Sequence, residues 1–334
     1  MKFDFTYYNP TKIHFGKDSL SNLSDELKNY GDTILLMYGK GSVKKSGLYD
    51  KVVGILNDCG KTVVELSGIK SNPSYSQLKE GARLVRENDV DLILAVGGGS
   101  VITNEDAMLK NGRVFPPNVN PKFSILNPEY TFTVPKYQMS SGIFDTMSHL
   151  MEQYFSGDDD NTTDYILEGV MRSLIHSAKA ALKNQEDYEA RSNIMWCATI
   201  GLNTVTGLSK EQDWEVHMIE HQVGAYTDCA HGAGLAAISV PYYKYILKYG
   251  LDKFVRFAKN VWGIDTDSMK AEDAANAGIE KLGEFISELG LPSTLRELGA
   301  TEEMLPLIAK STVTGGGYKQ MNADDILTVL KECY

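Results

Sequence analysis

Apolar and polar positions follow two rhythms along this chain. In the first third, short apolar runs end in glycine: TILLMYG (33–39), TVVELSG (62–68) and DLILAVGGG (91–99). Their length and β-branched content predict buried strands. Between them, SGLYDKVVGILNDCG (46–60) and SYSQLKEGARLVRENDV (74–90) repeat Leu, Val and Ile at helical spacing. Strand, helix, strand, helix, strand predicts a parallel sheet of βαβ units. Ligands of such sheets bind beyond the C-terminal strand ends, here the loops YGKGS, GIKSNP and GGGS.

From about Val134 the rhythm becomes helical and stays so. QMSSGIFDTMSHLMEQYF, TDYILEGVMRSLIHSAKAALKN, YEARSNIMWCATIGLNTV and WEVHMIEHQVGA are long helical patterns, and LDKFVRFAKNVWGI, AEDAANAGIEKLGEFISELG and MNADDILTVLKECY continue them. The chain therefore reads as an α/β N-terminal domain, 1–135, followed by an all-α C-terminal domain, 136–334. Two domains suit a length of 334 residues.

The stretch LILAVGGGSVITNEDAMLKNG (92–112) breaks the first rhythm. A buried strand delivers the chain to three glycines and a serine, the usual approach to a phosphate, and a long helix should follow with its N-terminus aimed at the anion. The chain instead turns to a short polar run. Thr103 and Asp106 suggest the cap and capping box of a short substitute helix, too short for a full crossover.

Composition narrows the class. A net charge of −11 argues against a nucleic-acid or anionic-membrane surface, since both need clustered positive charge. No apolar run approaches the roughly 20 residues of a membrane span. The four cysteines, Cys59, Cys197, Cys229 and Cys333, form no CxxC pair and suit a reducing cytoplasm. A cytoplasmic protein is the expectation.

The candidate chemistry lies in the histidines. Asp145 and His149 are four apart, as are His217 and His221, which puts each pair on one helix face. His231 follows in DCAHG, after a short turn. Three histidines and a carboxylate suit iron or zinc. HMIEH also matches the H-x-x-E-H pattern of inverted zinc peptidases, with Glu220 as general base. His14 and His176 stand outside any cluster and read as structural.

The order of motifs resembles the iron-containing alcohol dehydrogenases, in particular their NADPH-dependent butanol-dehydrogenase and aldehyde-reductase branch. The resemblance runs through NPTKIHFGKDSL, YGKGSVKKSGLYD, AVGGGSVI, PKFSILNPEYTFTVP, FDTMSHLMEQYF, HMIEHQVGAYTDCAHGAGLA and GLPSTLRELG. It implies a dehydroquinate synthase-like architecture: a Rossmann-like sheet followed by a helical domain. It implies Fe2+ or Zn2+ held by Asp145, His149, His217 and His231, with His221 near the nicotinamide as a proton relay. NADP(H) would lie on Gly97, Gly98, Gly99 and Ser100 at the pyrophosphate and by Asn72 at the adenine. Gly39, Lys40 and Ser42 would form the first strand-end loop. NAD-using relatives carry an aspartate there; Lys40 in its place would attract a 2′-phosphate, and Ser42 would add a hydrogen bond. The implied substrate is a small alcohol or aldehyde such as butanol or butyraldehyde, and the implied assembly a homodimer.

One departure stands out against that resemblance. Relatives follow GGGSVID with a crossover helix, a further segment and a strand before a GGSVITNE-like hairpin, roughly fifty residues that are missing here after Ile102. Lost with them are helix amides for the pyrophosphate and apolar cover for the sheet. The alternative reading is a truncated, non-catalytic metal-binding homologue with impaired cofactor binding.

Overall fold

The computed structural model describes residues 4–70, 72–97, 102–104, 109–111, 120–157 and 161–334. Two compact units result: Pro10–Thr133, and Val134–Tyr334 together with Met1–Asn9.

The smaller unit is α/β. Strands β1 (Lys12–Phe15), β2 (Thr33–Tyr38), β3 (Thr62–Leu66), β4 (Leu92–Val96), β5 (Ile102–Asn104), β6 (Leu109–Asn111) and β7 (Phe123–Leu126) alternate with helices α1 (Leu23–Leu27), α2 (Ser42–Lys45), α3 (Leu48–Asp58) and α4 (Tyr75–Glu87). The principal sheet has the order β3-β2-β4, all parallel, with Leu35 opposite Val64 on one side and Ile93 on the other. β2 is central and buried on both faces, which is why Ile34, Leu35 and Leu36 can run on as consecutive apolar residues. A second, two-stranded parallel pair joins β1 to β7.

β4 is different. Leu92, Leu94 and Val96 pack toward the core shared with α1 and α3, whereas Ile93 is 53% exposed and Ala95 is exposed. This edge strand of the principal sheet, among the described residues, is covered on one face only. β4 ends at Gly97, whose φ of 142° lies where L side chains are rarely found. Beyond it, β5 and β6 form an antiparallel hairpin, Ile102 opposite Asn111. This corrects the substitute helix expected from Thr103: Thr103 is a strand residue, paired with Lys110. Extended backbone with a ladder partner wins over a local capping signal that had no apolar helical face behind it. Asp106 lies outside the described residues.

The larger unit is helical: α5 (Lys136–Tyr154), α6 (Asn161–Lys183), α7 (Tyr188–Gly201), α8 (Glu215–Thr227), α9 (His231–Ile246), α10 (Leu251–Asn260), α11 (Ala271–Glu288), α12 (Leu305–Ser311) and α13 (Ala323–Cys333). α5 packs against α6, α7, α8 and α9. It is buried on nearly every side through Ile143, Phe144, Met147, Leu150, Met151 and Tyr154. α8 is buried from Glu215 to Ala225, although five of those residues are polar: Glu215, His217, Glu220, His221 and Gln222. Polar side chains sunk in a central helix need partners or a ligand, and these point to the site.

Candidate metal centre

Asp145 and His149 project from the middle of α5, one turn apart. His217 projects from the first turn of α8, and His231 is the first residue of α9. The loop between the last two helices is tight: α8 ends at Asp228 in the left-handed conformation, φ 53°, and α9 begins three residues on. Gly232 then lets the start of α9 come hard against α5, since a Cβ there would stand 1.9 Å from the Ser141 carbonyl oxygen. Ser141 is one turn before Asp145, so this close approach carries His231 to Asp145. The sequence pair His-Gly thus has a steric reason.

The result is a convergence on one oxygen. Nε2 of His149, Nε2 of His217 and Nε2 of His231 each lie 3.5 Å from Asp145 Oδ1. That is long for a hydrogen bond. Asp145 Oδ1 and His217 Nε2 are shielded from solvent with no hydrogen-bond partner. Four ligands on a tetrahedral ion with bonds of about 2.1 Å stand about 3.4 Å apart edge to edge. Asp145, His217 and His231 place ligand atoms within 4.8 Å of one another and fit a divalent ion, with His149 adjoining through Asp145 Oδ1. The side chains are not equally enclosed: His217 is 6% exposed, but Asp145 is 31% and His231 25% exposed. One side of the constellation is open, as a catalytic metal site requires.

Without an ion the electrostatics of the cluster are uneven, and a metal at His217 would take the place of its Nε2 proton. Burial alone would raise the Asp145 carboxyl, but His149, His217 and His231 together hold it well below the usual carboxylate range. Burial pushes the His149 imidazole down to about 4, so it is neutral and ready to donate a lone pair. Burial also opposes charge on His217, yet Glu152 and Asp145 outweigh it and raise the imidazole to about 10.

Behind the candidate ligands stand two residues that sequence reasoning did not single out, Glu152 and Trp214, and two that it did, Glu220 and His221. Glu152 Oε1 meets Nδ1 of His217 at 2.5 Å. Glu220 meets Nδ1 of His231 and is fully buried, which places it behind that candidate ligand and not at the exposed side where a peptidase base would stand. Trp214, just before α8, holds a left-handed φ of 61° and sets its ring edge-on to His149 (5.8 Å) and His217 (5.2 Å). Its indole N–H donates to Gln212 Oε1 at 2.7 Å. A bulky residue in that region is strained and persists where surroundings demand it. His221 is buried one turn beyond His217, its ring 5.7 Å from that of His231 and nearly parallel to it.

The cofactor candidates belong to the smaller unit. Gly39, Lys40 and Ser42 follow β2, and the Gly68 and Ile69 amides tie this loop to the end of β3 by donating to Gly39 and Tyr38 carbonyls. Lys40 and Ser42 are exposed. Asn72 precedes α4, whose Ser74–Gln77 capping box fixes the turn. These loops and Gly97 lie at the same, C-terminal end of the three parallel strands. Gly98, Gly99 and Ser100 lie outside the described residues.

A parallel βαβ sheet and a helical unit in which one aspartate faces three histidines make an α/β-plus-helical protein with a candidate metal centre. The chain belongs to the iron-containing alcohol dehydrogenase family: residues 10–107 match Iron-containing alcohol dehydrogenase, and residues 139–334 match its C-terminal part. It is 37% identical to NADH-dependent butanol dehydrogenase A of Clostridium acetobutylicum, with 99% of each chain covered. It is 29% identical to the NADPH-dependent aldehyde reductase YqhD of Escherichia coli, with 99% of this chain and 98% of the relative covered. The crystal structure of NADH-dependent butanol dehydrogenase A from Thermotoga maritima superposes with a TM-score of 0.94 at 30% identity, covering 98% of both chains. The family's activity is alcohol or aldehyde dehydrogenation, and membership implies iron and a nicotinamide dinucleotide. Among the described residues no helix is long and apolar enough to cross a membrane.

Proposed function

We propose that this chain is a metal-dependent NADP(H)-linked alcohol dehydrogenase or aldehyde reductase acting on a primary alcohol or aldehyde such as butanol or butyraldehyde. The observation that carries the reading is the convergence of three imidazole nitrogens, each 3.5 Å from one Asp145 oxygen. Asp145, His149, His217 and His231 would hold the ion. Bound there, the ion supplies Lewis-acid polarisation of a carbonyl or carbinol oxygen. His221, buried beside His231, would pass the proton that accompanies hydride transfer. Residues 1–135 would be the dinucleotide-binding domain and 136–334 the metal-binding domain. The reading includes a cytoplasmic homodimer, which sedimentation of the purified chain tests.

NADP(H) is favoured by Lys40, an exposed ammonium in the loop after β2, with Ser42 beside it. The acidic residue of the adjoining strand, Glu65, already accepts hydroxyl hydrogen bonds from Tyr38 and Tyr49, each at 2.5 Å. Relatives divide on this point: the Clostridium protein is NADH-dependent and YqhD is NADPH-dependent. The decisive measurement is oxidation of NADPH and of NADH with butyraldehyde, alongside metal content. A preference for NADH would reverse the assignment, and a metal-free active enzyme would remove the ligand set.

One observation favours a second reading. The alignment with the Clostridium protein spans 388 positions while this chain has 334 residues, so more than fifty internal positions of the relative have no counterpart here. A truncated homologue that binds metal but holds cofactor poorly would show metal at one per chain and little change in NADPH fluorescence on titration.

A further inference from the structure

Two carboxylates stand fully buried behind the ligand histidines, and the function proposed above does not use them. Glu152 lies on α5, two turns beyond Asp145, and is 0% exposed. It gathers three donors. His217 Nδ1 at 2.5 Å and the Ser148 hydroxyl at 2.8 Å meet Oε1, and the backbone N–H of His217 donates to Oε2 at 3.2 Å. Glu220 lies on α8, also 0% exposed, with Oε2 on Nδ1 of His231. Gly234 of α9 makes room for it, since a Cβ there would stand 2.7 Å from Glu220 Cγ.

The direction of these contacts matters. A neutral imidazole whose Nδ1–H is held by a carboxylate has its lone pair on Nε2, the form a metal selects when it displaces the Nε2 proton. The Nε2 atoms of these two rings are the ones that face Asp145 Oδ1. Isolated carboxylates are costly in a dry interior. A pair retained there, each on the rear nitrogen of a histidine, matches the outer layer of metal sites, which fixes tautomer and ring direction and raises ligand basicity. His149 is held otherwise, by ring contacts with Trp214 and His217.

We propose that Glu152 and Glu220 are the positioning residues of this metal centre, Glu152 for His217 and Glu220 for His231. The inference rests on the ligand set given under Proposed function. Glu152 has to be a carboxylate and not an amide. The NH2 of a glutamine would either meet the His217 backbone N–H, a donor, or meet His217 Nδ1 and shift the ring proton to Nε2, the nitrogen the metal needs.

The test is zinc affinity of the metal-stripped full chain by chelator competition, for wild type, Glu152→Gln, Glu220→Gln, Glu220→Asp and His217→Ala. Thermal unfolding of each metal-free protein is recorded alongside. Both Gln variants are expected to bind zinc roughly 10- to 100-fold more weakly than wild type, and Glu220→Asp, which keeps the charge, to recover part of the loss. Wild-type zinc affinity in both Gln variants, with His217→Ala still defective, overturns the positioning role and leaves the ligand set standing. No zinc binding by wild type removes the ligand set and this inference with it. A measurement on wild type alone covers the case of variants that do not fold. In the Co2+-loaded protein, proton NMR should show two paramagnetically shifted Nδ1–H signals in slow exchange with solvent. Their absence overturns the proposal.

Discussion

At the scale of single residues, the ligand edges of 3.5 Å decide what the centre can hold. Asp145, His217 and His231 bring one ligand atom each within 4.8 Å of one another, and His149 reaches the set through Asp145 Oδ1, so an ion would have to draw His149 inward to be held by all four. Removing one corner leaves three ligands and a cavity. His217→Ala is therefore expected to lose most of its metal on dialysis, with affinity falling at least roughly 100-fold. Metal analysis after dialysis checks it, and full occupancy would mean that His217 is not a ligand. In the smaller unit, Lys40→Asp exchanges a cation for an anion in the loop after β2. Because Lys40 is exposed, the effect is screened, and the ratio of NADPH to NADH affinity is expected to fall roughly five-fold or more. Fluorescence titration with each nucleotide measures it; an unchanged ratio would place Lys40 away from the 2′-position. The four-residue spacing of Asp145–His149 and of His217–His221 was legible in the sequence because it is local. Glu152 was not, because it serves a histidine 65 residues away. Glu220 was visible only inside a peptidase-like string, and nothing local says that it turns toward α9.

At the scale of elements, the centre depends on how closely α9 meets α5. Gly232 is the contact, and an alanine there would force its Cβ against the Ser141 backbone. Backbone cannot swing aside as a side chain can, so α9 has to retreat. Gly232→Ala is expected to cost about 1–3 kcal/mol of stability and to weaken metal binding by drawing His231 away from Asp145. Denaturant unfolding and zinc competition on the same protein check both parts. A variant that loses stability but binds zinc normally would show that the approach of α9 is structural only. The helices themselves were readable from their apolar spacing. The β5–β6 hairpin was readable only through the resemblance, which makes the stretch after Ile102 the back of a later hairpin, because locally a threonine followed by acidic residues is a capping signal. Here the ladder from Ile102 to Asn104 with Leu109 to Asn111 decides the matter.

At the scale of the whole molecule, the helical unit has an extensive buried core, while among the described residues the principal sheet has three strands. β4 leaves Ile93 and Ala95 exposed on one face, and more than fifty positions of the Clostridium relative have no residue in this chain of 334 against an alignment of 388. The resemblance locates the gap after Ile102, where relatives place a crossover helix and the turn at the nicotinamide end. Glycine-loop amides hold a pyrophosphate together with a helix N-terminus. Losing two or three charge-assisted hydrogen bonds, roughly 1.5–3 kcal/mol each, weakens binding by two orders of magnitude or more. Hydride transfer then suffers twice, since a loosely held nicotinamide also misses near-attack geometry. On the second reading, a truncated homologue, the expected outcome is a chain that binds one metal ion yet reduces butyraldehyde slowly or not at all. Inserting a relative's missing segment after Ile102 should raise NADPH oxidation by at least roughly 100-fold at equal metal content. The comparison is a steady-state assay of the two chains side by side, with metal measured in the same samples. Equal and vigorous turnover by both would show that the sheet needs no further cover to hold the dinucleotide, and the full dehydrogenase reading would then apply to the 334-residue chain as it stands.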